Sequence, residues 1–191
     1  TGMSDGNPSD FAYTMEQHAD DANAVLDALG VEKVIVWSMA WGSRAAIIHT
    51  ALNPDRVRLL ALYDASVDRA DVDAQAKGRE IAFAKQVEAG MPLKDRPENW
   101  NFHKDREQAG KAIGAIRTFK DQEGQLSKIL VPTLVCIGEY DPNLPSSEKI
   151  SRKIANAELV VMKNVGHGSV LQRPDLSVDN FLAFTKKNEV F

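Results

Sequence analysis

Residues 34–42 constrain the fold of this chain more than any other stretch. They read Val-Ile-Val-Trp-Ser-Met-Ala-Trp-Gly, so four apolar residues, long enough for a buried strand, run without a linker into a tight turn. Gly42 then opens an amphipathic segment that ends at Asn53 and Pro54. The stretch therefore predicts a strand, a sharp turn and a helix in direct succession.

The centre of this turn is Ala40. Small residues lie two positions before it, at Ser38, and two positions after it, at Gly42, which lets the backbone bend and exposes the central side chain at the carboxyl edge of the sheet. Turns of this kind present a nucleophile, but alanine has no atom that can attack a carbonyl group. Ser38 does not replace it, because its side chain is expected to face the packed base of the turn.

Three explanations of Ala40 are open. It is a serine that was changed to alanine to trap a bound ligand, or it marks a natural relative that binds a ligand without cleaving it. The third explanation is a misjudged register, or a reaction that needs no nucleophile. The first two keep the predicted turn and differ only in whether the natural protein is an enzyme.

The composition bounds the fold and excludes several partners. Of the 191 residues, 43% are hydrophobic, which is enough for one domain with a sizeable core. The net charge of −4 comes from interspersed acidic and basic residues, which argues against nucleic acid and membrane surfaces as partners. No apolar run approaches the roughly 20 residues of a membrane span. The single cysteine, Cys136, lies in an apolar run, so we expect a cytoplasmic protein without a disulfide or a metal cluster.

Strand-like and helical segments alternate along most of the chain. Apolar runs at residues 34–37, 57–63, 132–138 and 159–162 predict strands, and the amphipathic segments between them predict helices. This alternation indicates an α/β fold with a mostly parallel sheet and flanking helices.

Residues 66–125 interrupt the alternation. Charge rises there and helical periodicity replaces the strand-like runs, so we expect a helical lid inserted between two core segments, residues 1–65 and residues 126–191. Such a lid shapes substrate choice and excludes water. The side chains expected to line the substrate pocket are Met39, Trp100 and Phe102.

Ala40, Asp141 and His167 each follow the end of a predicted strand. The carboxyl ends of parallel strands meet at one edge of a sheet, so the three positions are expected to converge there. In a catalytic triad, the histidine removes the proton of the nucleophile and hands it to the leaving group, while the carboxylate orients the imidazole. Asp64, after the strand at residues 57–63, is a second candidate for that carboxylate, with loop capping as its alternative role.

Taken together, these features resemble the α/β-hydrolase superfamily, in which nucleophile, acid and histidine follow in this chain order. The resemblance covers nearly all of the chain outside the lid. It implies that Asp141 and His167 are the triad acid and base, that the backbone N–H of Trp41 is one oxyanion donor, and that no cofactor is needed. The departures are Ala40 in place of the nucleophile and Ser38 in place of the usual glycine. Besides the turn, the stretches that carry the resemblance are Gly2-Met3-Ser4-Asp5, Gly30-Val31-Glu32-Lys33-Val34, Asn53-Pro54-Asp55-Arg56-Val57, Gly138-Glu139-Tyr140-Asp141-Pro142 and Gly166-His167.

The substrate implied by the resemblance is a small ester, lactone or amide, cleaved by a Ser-Asp-His triad whose nucleophile position is here Ala40. Residues 40–43, Ala-Trp-Gly-Ser, look like the Ser-Trp-Gly-Ser of proline iminopeptidase-like members, which favours an amino-terminal proline amide. Carboxylesterases, lactonases and carbon–carbon bond hydrolases share the rest of the pattern. Haloalkane dehalogenases and epoxide hydrolases need an aspartate at the same position. A non-catalytic ligand-binding relative is the alternative from another functional class.

Residues 1–5, Thr-Gly-Met-Ser-Asp, resemble the second half of the Arg-Gly-x-Gly-x-Ser-Asp loop that follows a central strand of α/β-hydrolases. The strands that precede this loop in the superfamily are not in the sequence, and neither is the loop that supplies the second oxyanion donor. We therefore expect this chain to be the carboxyl-terminal part of the domain, and a second polypeptide to supply the N-terminal strands.

Overall fold

The computed structural model describes residues 2–8, 10–91, 98, 102–118 and 121–190. The strands within these residues are β1 Val34–Met39, β2 Val57–Tyr63, β3 Thr133–Gly138 and β4 Ala157–Met162. They form one sheet in the order β1-β2-β3-β4, and every neighbouring pair is parallel. The predicted α/β fold with a parallel sheet is therefore confirmed.

Helices connect and cover these strands. The helices of the described residues are α1 Met15–Ala28, α2 Trp41–Leu52, α3 Val72–Glu88, α4 Arg106–Gly114, α5 Gln122–Gln125, α6 Leu144–Lys153, α7 Ser169–Gln172 and α8 Pro174–Lys187, with 3₁₀ turns at Pro54–Arg56, Ala115–Thr118 and Leu126–Lys128. Local signals set their ends: Thr14 Oγ1 caps α1 by accepting a hydrogen bond from the N–H of Gln17 at 3.0 Å. α6 begins at Leu144, and Pro145 suits the first turn of this helix.

β2 lies at the centre of the core and is buried on both faces. Leu60 and Leu62 point to one face, where they pack against α1, α2 and α6. Leu59, Ala61 and Tyr63 point to the other face, where they pack against α8. An apolar strand without polar alternation is typical of a parallel sheet that is covered by helices on both sides.

The carboxyl ends of the strands lie side by side. Met39 at the end of β1 is paired with Tyr63 at the end of β2, and Gly138 at the end of β3 is paired with Met162 at the end of β4. The segments that follow the strands therefore start from one edge of the sheet, as the sequence predicts.

The described part of residues 66–125 is helical. It contains α3, α4, the 3₁₀ turn at Ala115–Thr118 and α5, and no strand. Trp100 lies outside the described residues, so its place in a substrate pocket stays a prediction. Among the described helices, none combines the length and the apolar character that crossing a membrane requires.

Leu62→Ala is expected to lower the free energy of unfolding by about 2–5 kcal/mol, because it leaves a cavity at a position with no solvent exposure. Urea denaturation followed by circular dichroism measures the loss. Leu182→Ala removes the same atoms from α8 at a position that is 52% exposed, and it should change the stability by no more than about 0.5 kcal/mol. Equal losses in the two variants would contradict the central position of β2 in the core.

Candidate active site

β1 passes directly into α2 through a single residue, Ala40. Its backbone has φ 51° and ψ −117°, a conformation that an L-residue adopts only under constraint. Two hydrogen bonds hold it: the N–H of Ala40 donates to the carbonyl of Tyr63 at 2.8 Å, and the N–H of Ser43 donates to the carbonyl of Ala40 at 3.1 Å. The sharp turn predicted from the sequence is present, with Ala40 at its apex.

Ser38 lies at the base of this turn. Its Oγ is 3.3 Å from Ser43 Oγ and 3.2 Å from the carbonyl oxygen of Ala61. The Ser43 hydroxyl in turn donates to the carbonyl of Tyr63 at 3.1 Å. Both hydroxyls tie the turn to β2, so Ser38 does not take the place of a nucleophile at the apex.

Asp141 and His167 meet beyond the ends of β3 and β4. His167 Nδ1 donates to Asp141 Oδ2 at 2.8 Å. Asp141 is buried, and its Oδ1 accepts a hydrogen bond from the backbone N–H of Asn143 at 2.9 Å. With the Nδ1 proton held by Asp141, Nε2 is the nitrogen of the neutral imidazole that can accept a proton.

The surroundings of His167 act on its pKa in opposite directions. Burial of the imidazole lowers the pKa, because it disfavours the charged form. The hydrogen bond to Asp141 and the negative charges of Asp141 and Asp64 raise it by more in total, so the pKa of His167 lies above its ordinary value. The pair therefore stabilises an imidazolium, the form that a proton-transfer residue takes during a reaction.

Asp64 follows β2 and is fully buried. Its Oδ2 accepts hydrogen bonds from the backbone N–H groups of Gly168 and Ser169, at 3.0 Å and 2.7 Å. Gly168 has φ 91°, a left-handed conformation that glycine adopts without strain. Asp64 therefore caps the start of α7 and holds the loop that carries His167, while Asp141 is the carboxylate that binds the imidazole.

The charge state of Asp64 depends on its burial. Removal from water raises the pKa of Asp64 to about 7, and the negative charge of Asp141 adds to the rise. Hydrogen bonds from Ser169 and the positive charge of His167 act in the opposite direction without cancelling it. Asp64 therefore keeps its proton to a higher pH than an exposed carboxyl group does, since two neighbouring buried carboxylates are costly to ionise together.

A cavity of about 180 Å³ joins the apex of the turn to His167. Arg44, one turn into α2, supplies a half-buried cation to its wall, and its guanidinium donates to the backbone carbonyl of Asp68. Burial lowers the pKa of Arg44, and the charge of Asp68 opposes this effect. The cavity suits a small ligand with a polar or negatively charged group. Besides Ala40 and His167, residues that line it are Trp41, Arg44, Asp64, Gln75 and Asn143.

Of the other residues expected at the site, Trp41 lines the cavity, whereas Met39 and Phe102 do not. Trp41 lines the cavity as the first residue of α2, and its indole Nε1 donates to the carbonyl of Ile113 at 2.9 Å. Met39 packs into the core on the α8 side of the sheet, and Phe102 is 49% exposed. Neither of these two side chains is part of the cavity wall, and Trp100 is outside the described residues.

Sequence reasoning missed Arg44, Gln75 and Asn143 as cavity residues. Arg44 had a usable signal, because a residue four positions after Ala40 at the start of a helix lies on the same side as the apex. Asn143 follows Asp141 by two positions in the same loop. Gln75 had no local signal, since α3 reaches the cavity only through tertiary packing.

Asp64, Asp141 and His167 also have the donor groups of a metal site, with one donor atom of each lying within 4.8 Å of the others. His167 Nδ1 is, however, hydrogen-bonded to Asp141, and Oδ2 of Asp64 accepts from two backbone N–H groups. A cation would have to displace these bonds. The geometry therefore fits proton transfer better than metal binding.

Solved structures match this chain, whereas no protein-family model and no curated protein does. MenH from S. aureus has a TM-score of 0.73 at 18% identity, over 97% of this chain and 80% of its own. A thermophilic esterase from Thermogutta terrifontis has a TM-score of 0.72 at 20% identity, over 98% of this chain and 77% of its own. The enol-lactonase from Burkholderia xenovorans LB400 has a TM-score of 0.71 at 20% identity, over 96% of this chain and 75% of its own.

These similar structures are α/β-hydrolases, so this chain has the α/β-hydrolase fold. The fold implied by the resemblance in the sequence is thereby confirmed. At 18–20% identity the likeness concerns the fold and not the substrate. The chain spans 75–80% of the length of these three solved chains.

Asp64→Asn is expected to remove a contribution to stability that falls as the pH rises. The pKa of Asp64 is about 7 in the folded chain, against about 4 for an unfolded one, so the folded state binds more protons between these two values. Asp64 therefore contributes a fall in the free energy of unfolding as the pH rises from about 4 to about 7. The asparagine removes this contribution and keeps an oxygen for the N–H groups of Gly168 and Ser169. Urea denaturation across this pH range measures the slope.

Asp179→Asn, at an exposed position of α8, controls for the loss of one carboxylate. It should leave the slope of the unmodified chain unchanged. An Asp64→Asn protein with that same slope would show that Asp64 does not titrate in this range.

Proposed function

We propose that this chain carries the site of a hydrolase for small esters or lactones, with His167 as the proton-transfer residue and Asp141 as the carboxylate that orients it. The observation that carries the proposal is the 2.8 Å hydrogen bond between these two side chains, at a cavity that also reaches the apex of the turn. The esterase and the enol-lactonase that share the fold support this class of substrate.

A hydroxyl at the position of Ala40 would complete the chemistry. The hydroxyl oxygen attacks the carbonyl carbon of the substrate while His167 Nε2 takes its proton, and the tetrahedral intermediate then collapses as His167 returns the proton to the leaving alcohol. In a second step water attacks the acyl intermediate while His167 accepts its proton, and His167 then returns the proton to the hydroxyl oxygen as the bond to the acyl group breaks and the carboxylic acid leaves. Asp141 keeps Nδ1 protonated throughout, so Nε2 stays available as the base.

The backbone N–H of Trp41 is the proposed oxyanion donor. The first N–H groups of a helix have no partner within it, and Trp41 is the first residue of the 12-residue helix α2. The helix dipole adds a partial positive charge at this end. Both effects favour the negative oxygen that develops on the substrate carbonyl at the apex of the turn.

Ala40 determines whether this chain can catalyse the reaction. Without a hydroxyl at the apex, the site binds and orients a carbonyl compound but forms no acyl intermediate. The same residue favours the second candidate function, a non-catalytic ligand-binding protein. We prefer the hydrolase, because burying an Asp141–His167 pair is costly and its geometry serves proton transfer.

The surroundings of the site contribute to this function as well. Residues 66–125 act as a lid, which is supported by Gln75 in the cavity wall. A second polypeptide supplies N-terminal strands alongside β1, which is an edge strand whose Trp37 is 40% exposed. We also propose a cytoplasmic location, on the composition of the chain.

Ala40→Ser is expected to create ester and lactone hydrolysis that exceeds that of the unmodified chain by about 10³-fold or more, because nucleophile and base act as a unit. A panel of p-nitrophenyl esters, lactones and amino-terminal prolyl amides measures the gain. It also distinguishes an esterase or lactonase activity from an aminopeptidase activity. A phosphonate ester probe should add its mass to the Ala40→Ser protein alone.

The double variant Ala40→Ser, His167→Ala controls for activity that does not use the proposed base, and it should lose the gain. A folded Ala40→Ser protein that binds small carbonyl compounds but cleaves nothing in the panel would favour the ligand-binding function.

A further inference from the structure

α3 packs on the loop that carries Asp141 through direct backbone contact. A Cβ atom added at Gly78, in the middle of α3, would lie 2.0 Å from the carbonyl oxygen of Tyr140, the residue before Asp141. No side chain fits in that space, so only glycine allows the helix to approach this closely. Gly78 thus sets how near α3 lies to the Asp141 loop.

The same turn of α3 also contacts the loop that carries His167. A Cβ atom at Gly166, the residue before His167, would lie 2.8 Å from the carbonyl oxygen of Gly78 and 3.0 Å from the Cα of Arg79. The two loops are joined to each other as well, because the N–H of Tyr140 donates to the carbonyl of Val165 at 2.9 Å. α3 therefore abuts the residues that directly precede both members of the pair.

Two glutamines add polar contacts on this side. Gln86, buried in α3, donates through Nε2 to the carbonyl of Asn164 at 2.8 Å and to Gln172 Oε1 at 3.3 Å. Gln172 accepts from the N–H of Gly166 at 3.1 Å and donates to the carbonyl of His167 at 2.8 Å. The amide of Gln172 thus spans the peptide that leads into His167, and Gln86 holds that amide in place.

We infer that α3, although it covers the cavity as part of the proposed lid, is a fixed positioning element that sets the separation of Asp141 and His167 through Gly78 and Gln86 and does not lift off the site. A motion of α3 away from the sheet would break the polar contacts of Gln86 and remove the wall against which both loops rest. The inference extends the proposed function, since it concerns the same pair, but its first test needs no catalysis.

The first test is the titration of His167 by NMR in the otherwise unmodified chain, with its signals assigned by His167→Gln. Gly78→Ala should displace α3, weaken the bond to Asp141 and lower the pKa of His167 by about one unit. Gly110→Ala is the matched control, because a Cβ atom there meets nothing within 4 Å, and it should leave this pKa unchanged. The other charged groups that act on His167 are Asp64 and Arg79, and neither variant replaces them.

Gln86→Met keeps the length of the side chain and removes the donor to Asn164, so it tests the inference even where Gly78→Ala does not fold. It should lower the pKa of His167 in the same direction. Folded Gly78→Ala or Gln86→Met proteins that titrate like Gly110→Ala would overturn the inference and leave α3 as a cover alone.

A kinetic test follows in the Ala40→Ser background. Gly78→Ala should lower kcat by about 10²-fold with little change in KM, because a displaced base affects the reacting geometry more than substrate binding. A rise in KM at constant kcat would assign α3 to substrate binding and contradict the inference. If Ala40→Ser itself is inactive, the proposed function fails, while the titration of His167 still decides the role of α3.

Discussion

Burial of β2 on both of its faces is the constraint on which the rest of this structure depends. An apolar strand that packs against helices on two sides is typical of a parallel sheet, and the parallel neighbours of β2 deliver their carboxyl ends to one edge. The end of β2 is also a junction of hydrogen bonds. The carbonyl of Tyr63 accepts from the N–H of Ala40, and the N–H of Asp64 donates to the carbonyl of Cys136. The end of β2 therefore holds both the turn at Ala40 and the backbone of Asp64 in place.

His167 is held from two sides by groups that do not touch its ring. Asp64 binds the backbone that follows it, and α3 with Gln172 braces the backbone that precedes it. The bond from the N–H of Ser169 to Asp64 is buried, and breaking it would leave a polar group without water or protein as a partner. The loop is thus restrained before any ligand arrives, and the orientation of the imidazole does not have to be established during binding.

The parts of the site that sequence reasoning found are those with local signals. The strand, turn and helix around Ala40 have a continuous pattern, and Asp141 and His167 each follow an apolar run that ends in a loop. The contacts that position them join distant parts of the chain. Asp64 and Gly168 are 104 residues apart, and the approach of Gly78 to Tyr140 depends on how a helix lies against a loop. No periodicity within either segment specifies such contacts, so only the folded chain reveals them.

Ala40 has the strained backbone of a residue that presents its side chain at an apex, although its own side chain ends at Cβ. Alanine codons become serine codons through a change of their first base alone. A gene for this chain is therefore one point mutation away from encoding a hydroxyl on a backbone already bent to present it. The reverse mutation would remove the attacking group while leaving the fold intact. A form with the hydroxyl and a form without it are therefore one base change apart and share the same fold.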